Sequence, residues 1–223
     1  MASRDGSNFR LSATPVTVLA HLLAIAITTL VLVWAIHFHG GLAFKSNNKQ
    51  KIFNIHPVLM VIGFILVGGE AIMAYKTIPS KKKEPKLVHL ILNLIALLVG
   101  IIGIYAVFKY HNELGIPDMY TLHSWFGMIT ICLYGLQWLL GFFSFFFPGA
   151  TMSSRGRLVP WHWFLGMVIF VMAISTAEMG LVEKFTFLGL QHGQEALIIN
   201  FTGLLLLLFA VSVSLSVVLP RSS

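Results

Sequence analysis

The sequence predicts an all-α membrane protein with six transmembrane helices. Of its 223 residues, 57% are hydrophobic and only 10% are charged, whereas soluble domains are about 45–50% apolar and about 25% charged. The apolar residues also form six runs, each long enough for the roughly 20 helical residues that cross a bilayer. Lipid permits only helices or closed barrels, and the runs lack the alternation of barrel strands. The pattern therefore indicates helices.

We predict one transmembrane domain over residues 1–223, with spans at residues 15–38, 55–75, 87–108, 120–147, 161–182 and 196–219. The first span is too long for the apolar part of a cleaved signal peptide, which has about 7–15 residues. Four prolines lie near predicted helix starts, where a missing N–H costs least: Pro57, Pro85, Pro117 and Pro160. Short connections predict antiparallel neighbours in a compact bundle.

The basic residues are distributed unequally across the predicted membrane. One side receives ten, namely Arg4, Arg10, Lys76, Lys81, Lys82, Lys83, Lys86, Arg155, Arg157 and Arg221. The other side receives five, namely Lys45, Lys49, Lys51, Lys109 and Lys184. The positive-inside rule therefore predicts that both termini are cytosolic. The net charge of +7 is explained by these topology signals, so no nucleic-acid partner is expected.

The single cysteine limits the possible chemistry. Cys132 lies inside an apolar run, which excludes an internal disulfide, a cysteine-rich zinc site and a cysteine-held iron–sulfur cluster. Histidine is therefore the main source of metal ligands in this chain.

Four of the nine histidines open predicted helices: His56 the second, His89 the third, His123 the fourth and His162 the fifth. Antiparallel helices place His56 and His123 on the non-cytosolic side, and His89 and His162 on the cytosolic side. Two imidazoles per side can fill both axial positions of a haem iron, between facing helices of a central four-helix bundle. Zinc fits less well, because its sites use three or four protein ligands. Spacing alone leaves a second interpretation open, in which the histidines are interfacial hydrogen-bonding residues.

Five segments carry a resemblance to a known family: His56-Pro57-Val58-Leu59-Met60, Ala71-Ile72-Met73-Ala74-Tyr75-Lys76, Lys86-Leu87-Val88-His89, Thr121-Leu122-His123-Ser124-Trp125 and Pro160-Trp161-His162. Together they resemble the cytochrome b-561 family of ascorbate-dependent transmembrane electron carriers, over nearly the whole chain. The resemblance implies two haem b groups per chain. Their axial ligands would be His56 and His123 on the non-cytosolic side, and His89 and His162 on the cytosolic side.

The resemblance also implies an activity and a location. The chain would be an oxidoreductase that passes electrons from cytosolic ascorbate to monodehydroascorbate or ferric chelates on the far side. Its membrane would be an endomembrane (vacuolar, lysosomal or vesicle) or the plasma membrane, and membrane lipid would surround it. The family further implies a homodimer, for which the sequence holds no independent motif.

A donor site for ascorbate, an anion, should be cationic and close to the cytosolic haem. We expect Lys82, Lys86 and Arg155 to form it, because they flank the predicted helix starts that carry two of the histidines. Further candidates are Lys76, Lys81, Lys83 and Arg157. The alternative is that these residues anchor the topology or contact anionic lipid. Where the family commonly has arginine after the tyrosine, this chain has Lys76, a point charge in place of a planar bidentate donor.

On the non-cytosolic side, the third loop supplies polar residues for an acceptor site. The candidates there are Tyr110, His111, Asn112 and, on the next helix, Tyr120. Within the spans, Glu70 and Glu178 are costly unless paired or hydrated. Glu178 is a candidate for proton handling, with hydrogen bonding inside the bundle as the alternative.

Two other functions compete with a transmembrane oxidoreductase. The chain could be a membrane anchor that relays electrons for a partner protein, with the short basic loops as the docking surface. It could also be a metal or proton transporter that uses histidine as a transient ligand. A transporter predicts ionisable residues converging along one path, whereas these histidines collect at two separate levels.

Overall fold

In the computed structural model, residues 12–79 and 83–221 are described, and within them the chain is helical with no strand. Among these described residues, six helices are long and apolar enough to cross a membrane: α1 (Ala13–Phe38), α2 (Gln50–Thr77), α3 (Glu84–Leu114), α4 (Leu122–Phe146), α5 (Met152–Phe187) and α6 (Gln194–Val218). The predicted fold class is confirmed, and the chain is an integral multi-pass membrane protein. Arg4, Arg10, Lys81 and Lys82 lie outside the described residues.

The fifth helix begins well before its predicted start at Trp161. It starts at Met152 and includes Pro160 in its interior, so the prediction that Pro160 lies near a helix start is wrong. The physical reason is that hydropathy shows where a helix enters the apolar layer of the membrane, whereas the first residue of a helix is set by capping hydrogen bonds. Here the side chain of Thr151 accepts a hydrogen bond from the backbone N–H of Ser154 and begins the helix in the polar segment.

The second and third helices also begin earlier than predicted, at Gln50 and Glu84. His89 therefore lies beyond the first turn of its helix, and His56 and Pro57 lie within the span that begins at Gln50. In α4 the prediction is correct, because the helix begins at Leu122 and His123 lies in its first turn. A capping box between Thr121 and Ser124 fixes this start.

Helices α2 to α5 form the centre of the molecule, and α1 and α6 pack against each other at its side. Helix α6 also contacts α2 and α5. The buried face of this outer pair includes Ala20 and Ile27 on α1 and Leu206 and Phe209 on α6. The opposite faces of α1, α3, α4, α5 and α6 expose many large hydrophobic side chains, as expected for surfaces that contact lipid, whereas α2 is the most buried span.

Hydrogen bonds tie the two ends of the described chain to the end of α2. The Lys76 Nζ donates to the carbonyl of Leu219 (2.6 Å), and Arg221 donates to the carbonyl of Ile78 (2.5 Å). The backbone N–H of Ala13 donates to the carbonyl of Pro220 (2.9 Å). These contacts join the start of α1 to the end of α6, and the end of α6 to the end of α2.

The two carboxylates within the spans have different surroundings. An Oε1 of Glu70 lies 2.8 Å from the Nδ1 of His21 on α1. This partner lowers the free-energy cost of a carboxyl group within the membrane. Glu178 has a buried Oε1 without a hydrogen-bond partner among the described residues. The two acids therefore differ in how their polar oxygens are satisfied.

Candidate functional site: two facing histidine pairs

The four histidines of α2 to α5 lie together as two pairs. The ring centres of His56 and His123 are 6.1 Å apart, and those of His89 and His162 are 6.2 Å apart. Gly103, whose carbonyl contacts His56, is fourteen positions along α3 from His89. At 1.5 Å per residue this corresponds to about 21 Å, so the pairs occupy two separate levels of the bundle.

Each pair has the spacing that two imidazoles need to bind opposite sides of one metal ion. With metal–imidazole bonds of about 2.0–2.1 Å, and the distance from each nitrogen to its ring centre, the centres should be about 6.3 Å apart. Two rings joined by a direct hydrogen bond would be about 1 Å closer. Within residues 12–79 and 83–221, no third His, Cys, Asp or Glu joins either pair. The donor set fits a metal whose other ligands come from a macrocycle.

Backbone carbonyls hold the Nδ1 atoms of three of the four rings. His56 contacts the carbonyl of Gly103 (3.1 Å), His89 that of Ala71 (2.8 Å), and His123 that of Thr176 (2.8 Å). Because a carbonyl oxygen only accepts, each Nδ1 carries the proton and each Nε2 keeps its lone pair. This is the tautomer that a metal ligand requires.

The fourth ring, His162, has a different neighbour. The Nε2 of Gln137 on α4 donates to the backbone carbonyl of His162 (2.7 Å) and lies 3.1 Å from its Nδ1. The group facing this Nδ1 is therefore an amide donor, where the other three rings face a carbonyl.

Glycines make room for two of the rings. A Cβ atom at Gly180 on α5 would lie 2.7 Å from the Cε1 of His123, and one at Gly141 on α4 would lie 2.9 Å from the Cε1 of His162. Real Cβ contacts are essentially never this short. Helices α4 and α5 are therefore related reciprocally, because each carries one histidine and also the glycine against which the histidine of the other helix packs. We call the contacts of His123 with Gly180 and of His162 with Gly141 the reciprocal cradles.

A cavity surrounds the His56 and His123 pair and is lined mostly by apolar side chains. Lys184 on α5 also lines it, with its Nζ 4.2 Å from the ring centre of Phe53 and 3.5 Å from the Oε1 of Gln50. An apolar cavity with few polar groups is typical of a cofactor site.

Three of the candidate ascorbate-binding residues lie near the His89 and His162 pair. Lys86 donates to the carbonyl of Phe145, whose ring centre is 5.1 Å from that of His162. Lys83 and Arg155 are close enough to Lys86 for their charges to interact. The structure therefore brings these three cations together near this pair.

The other candidates on this face are placed differently. Lys76 contacts the end of α6 through the carbonyl of Leu219, and Arg157 is exposed. Lys81 and Lys82 lie outside the described residues. The cationic group that the structure describes near the histidines is therefore smaller than the set that the sequence offers.

On the opposite face, His111 and Tyr120 line the cavity of the His56 and His123 pair. Asp118 lies 2.8 Å from the Nδ1 of His111. Tyr110 packs against Phe53, with ring centres 5.2 Å apart. Asn112, also a candidate, is exposed, so only part of the candidate acceptor site faces the cavity.

Sequence reasoning missed several residues that hold the histidine rings. None of Gln137, Gly141, Thr176 and Gly180 is among the predicted site residues. A usable signal was present, because Gln137 and Gly141, like Thr176 and Gly180, are four positions apart and so share a helix face. Lys184 gave no signal of its own, since one lysine at a span end is ordinary.

Fold and site together define a class of protein: a multi-pass helical membrane protein whose core presents facing imidazoles at two levels. The chain belongs to the eukaryotic cytochrome b561 family, whose sequence profile matches residues 55–188. That region contains all four paired histidines. Haem b is the cofactor that membership of this family implies, and the imidazole spacing fits it.

Relatives from plants and animals are similar over most of their length. An ascorbate-specific transmembrane electron transporter of Zea mays is 50% identical over 220 residues, which cover 96% of this chain and 93% of the relative. A transmembrane ascorbate ferrireductase of Arabidopsis thaliana is 50% identical over 211 residues, covering 93% and 88%. A transmembrane ascorbate-dependent reductase of Mus musculus is 38% identical over 199 residues, covering 87% and 78%.

Proposed function

We propose that this protein is a transmembrane oxidoreductase. It carries electrons from cytosolic ascorbate through two haem b groups to monodehydroascorbate or ferric chelates on the non-cytosolic side. The main support is the presence of two facing imidazole pairs, each with the separation of two ligands on one metal ion. The names of the relatives, which refer to ascorbate and to ferric reduction, agree with this proposal.

In the proposal, His56 and His123 hold the non-cytosolic haem, and His89 and His162 hold the cytosolic one. When bound, haem would supply one-electron transfer chemistry. The protein's own work is to orient the rings. Backbone carbonyls fix three of them with Nε2 free, and the surrounding apolar side chains keep water away.

The donor side is assigned from charge. Lys86, Arg155 and Lys83 form a cationic group next to the His89 and His162 pair, and such a group raises the local concentration of an anion such as ascorbate. Lys82, outside the described residues, is proposed to join it. The excess of basic residues on this face supports a cytosolic location for it and for both termini.

The acceptor side is assigned from the residues around the other cavity. His111 and Tyr120 line it, and both can donate hydrogen bonds to an oxidised acceptor. Tyr110 and Asn112 are proposed to complete this site from the adjoining turn of α3. His111 can also exchange a proton near neutral pH.

The proposal is tested by absorbance spectroscopy of the purified protein. We expect two haem b groups per chain, both reducible by ascorbate. His56→Leu and His123→Leu should each remove the non-cytosolic haem, whereas His89→Leu and His162→Leu should remove the cytosolic one. A folded protein without haem would disprove the proposal. Loss of the same haem from the His56 and His89 variants would disprove the pairing.

A further inference from the structure

Lys184 lies at the cavity of the His56 and His123 pair without an acid as its partner. It is on α5, and of the lysines and arginines that the structure describes it alone lines this cavity. In the described part of the chain its Nζ has one hydrogen-bond partner, the Oε1 of Gln50 at 3.5 Å, and takes part in no ion pair. A partly buried cation without a counter-ion is costly, so a further partner is expected.

The neighbouring acids do not neutralise this lysine. Glu195 at the start of α6 is close enough for its charge to act on Lys184, but its Oε1 contacts the indole N–H of Trp34 (3.0 Å) and the Nε2 of His39 (2.6 Å). Glu183 also lines the cavity, but the ion pairs of the described residues do not join it to Lys184. The charge of Lys184 is therefore available to an anion inside the cavity.

Two aromatic rings keep the Nζ of Lys184 at the cavity wall. It lies 4.2 Å from the ring centre of Phe53 and 5.7 Å from that of Trp34, and both rings line the cavity. The ring centre of Phe53 is in turn 6.4 Å from that of His56. Cation–π contacts stabilise the lysine charge but leave its N–H groups without an acceptor. The rings therefore position the Nζ near the histidine pair without satisfying it.

The same face of α5 serves the histidine pair in two other ways. Thr176, Gly180 and Lys184 are spaced four positions apart and so share one helix face, and all three line the cavity. The carbonyl of Thr176 holds the Nδ1 of His123, and Gly180 leaves the space that this ring occupies. Lys184 continues, about one turn further along, a face that is already fitted to a group bound by His123.

Haem b has one kind of charged substituent, its propionate carboxylates. The rest of the macrocycle is apolar and suits the apolar lining of this cavity, whereas a carboxylate held there needs hydrogen-bond donors. An ammonium group and a carboxylate that are both partly buried compensate each other through a charge-assisted hydrogen bond. A propionate is therefore the partner that the free charge of Lys184 fits best.

We propose that Lys184 is the counter-ion of a propionate carboxylate of the haem held by His56 and His123, and that this ion pair helps to retain that haem. Lys184 is thus a cofactor-binding residue in addition to the two axial ligands. This inference rests on the proposed function, because it requires haem at this level of the bundle.

The first experiment measures the rate of haem release on warming from the purified holoprotein. Lys184→Met removes the charge and keeps a long apolar side chain. We expect release from the His56 and His123 level to become about tenfold faster, as for the loss of one hydrogen bond to a charged group, with the other level unchanged. Lys49→Met is the matched control, because Lys49 pairs with Glu113 (2.6 Å) and does not line the cavity. Equal acceleration in both variants would overturn the inference.

The second experiment separates pairing with the propionate from every other role of the lysine. The full chain is reconstituted with haem b or with haem b dimethyl ester, in which the propionates are neutral. With the ester, Lys184→Met and the unmodified protein should release the group at the same rate, because no carboxylate remains to be paired. A difference that persists with the ester would show that Lys184 acts through Phe53 and Trp34, and would contradict the proposal.

Lys184→Arg covers the case in which Lys184→Met retains no haem at this level. Arginine keeps the positive charge, so retention of this haem should stay close to that of the unmodified protein. Loss of this haem from Lys184→Arg as well would refute the role of the charge. Absence of haem at this level from the unmodified protein would instead disprove the proposed function.

Discussion

Replacing Gly180 with alanine should weaken haem binding at the His56 and His123 level alone. The new Cβ would lie 2.7 Å from the Cε1 and 3.1 Å from the Nδ1 of His123. Ordinary contacts begin near 3.4 Å, so the ring must move by about 0.7 Å, and overpacking of this kind costs about 1–3 kcal/mol. The ring cannot move freely, because its Nδ1 is held 2.8 Å from the carbonyl of Thr176.

A cost of this size corresponds to about 5- to 150-fold weaker retention of the group, since about 1.4 kcal/mol is tenfold. The assay is the haem content per chain after purification, followed by the rate of haem release on warming. Alanine favours helix over glycine by about 1 kcal/mol, so a loss cannot be attributed to a weaker α5.

Two matched variants make the prediction specific. Gly141→Ala places a Cβ 2.9 Å from the Cε1 of His162 and should weaken the other haem. Gly135→Ala meets only Leu97, at 3.7 Å, and should retain both. The reasoning is refuted if Gly180→Ala keeps both haems with unchanged release rates, or if it loses the haem of the opposite level.

Three further predictions concern the two faces and the centre of the bundle. Lys86→Ala should slow reduction by ascorbate about tenfold with haem content intact. Lys76→Ala, which removes a side chain bound to the end of α6, should leave the rate unchanged. Equal rates for the two variants in stopped-flow measurements would show that Lys86 serves only as a topology signal. His111→Ala should slow oxidation of the reduced protein by ferric chelates and leave its reduction by ascorbate unchanged, and the reverse result would exchange the two faces. Tyr134→Phe removes a 2.5 Å hydrogen bond to Asn93, worth about 0.6–1.7 kcal/mol within a membrane. It should lower the Tm by about 2–6 °C, while Tyr105→Phe, at a side chain 58% exposed, should leave the Tm unchanged.

The sequence predicts the spans and the histidine levels well because both depend on hydropathy. An apolar run records where a helix enters the membrane, and a histidine at its edge lies near that depth whichever residue begins the helix. This explains why His162 pairs with His89 although α5 begins at Met152. Helix starts depend on local caps such as Thr151, which a hydropathy pattern does not detect.

The partners of the rings could not be predicted in the same way. Three of the four are backbone carbonyl groups and the fourth is a side-chain amide; which of these groups faces a ring depends on helix rotation, and a backbone carbonyl has no sequence signature. Lys76 illustrates the same dependence on packing, since its charge and position suit an anion site and its Nζ donates to the carbonyl of Leu219. Composition identifies what a side chain can bind, whereas packing decides which partner it reaches.

The reciprocal cradles of α4 and α5 also fix how far apart the histidine and the cradle glycine lie along each of these two helices. His123 and Gly141 are eighteen positions apart, as are His162 and Gly180, which is five helical turns and about 27 Å. This is close to the roughly 30 Å of a hydrocarbon core. Because this separation along the helices is constant, a thinner bilayer can be accommodated only if the bundle tilts or the lipid deforms. One inserted residue between the levels would turn one cradle by about 100° away from its histidine.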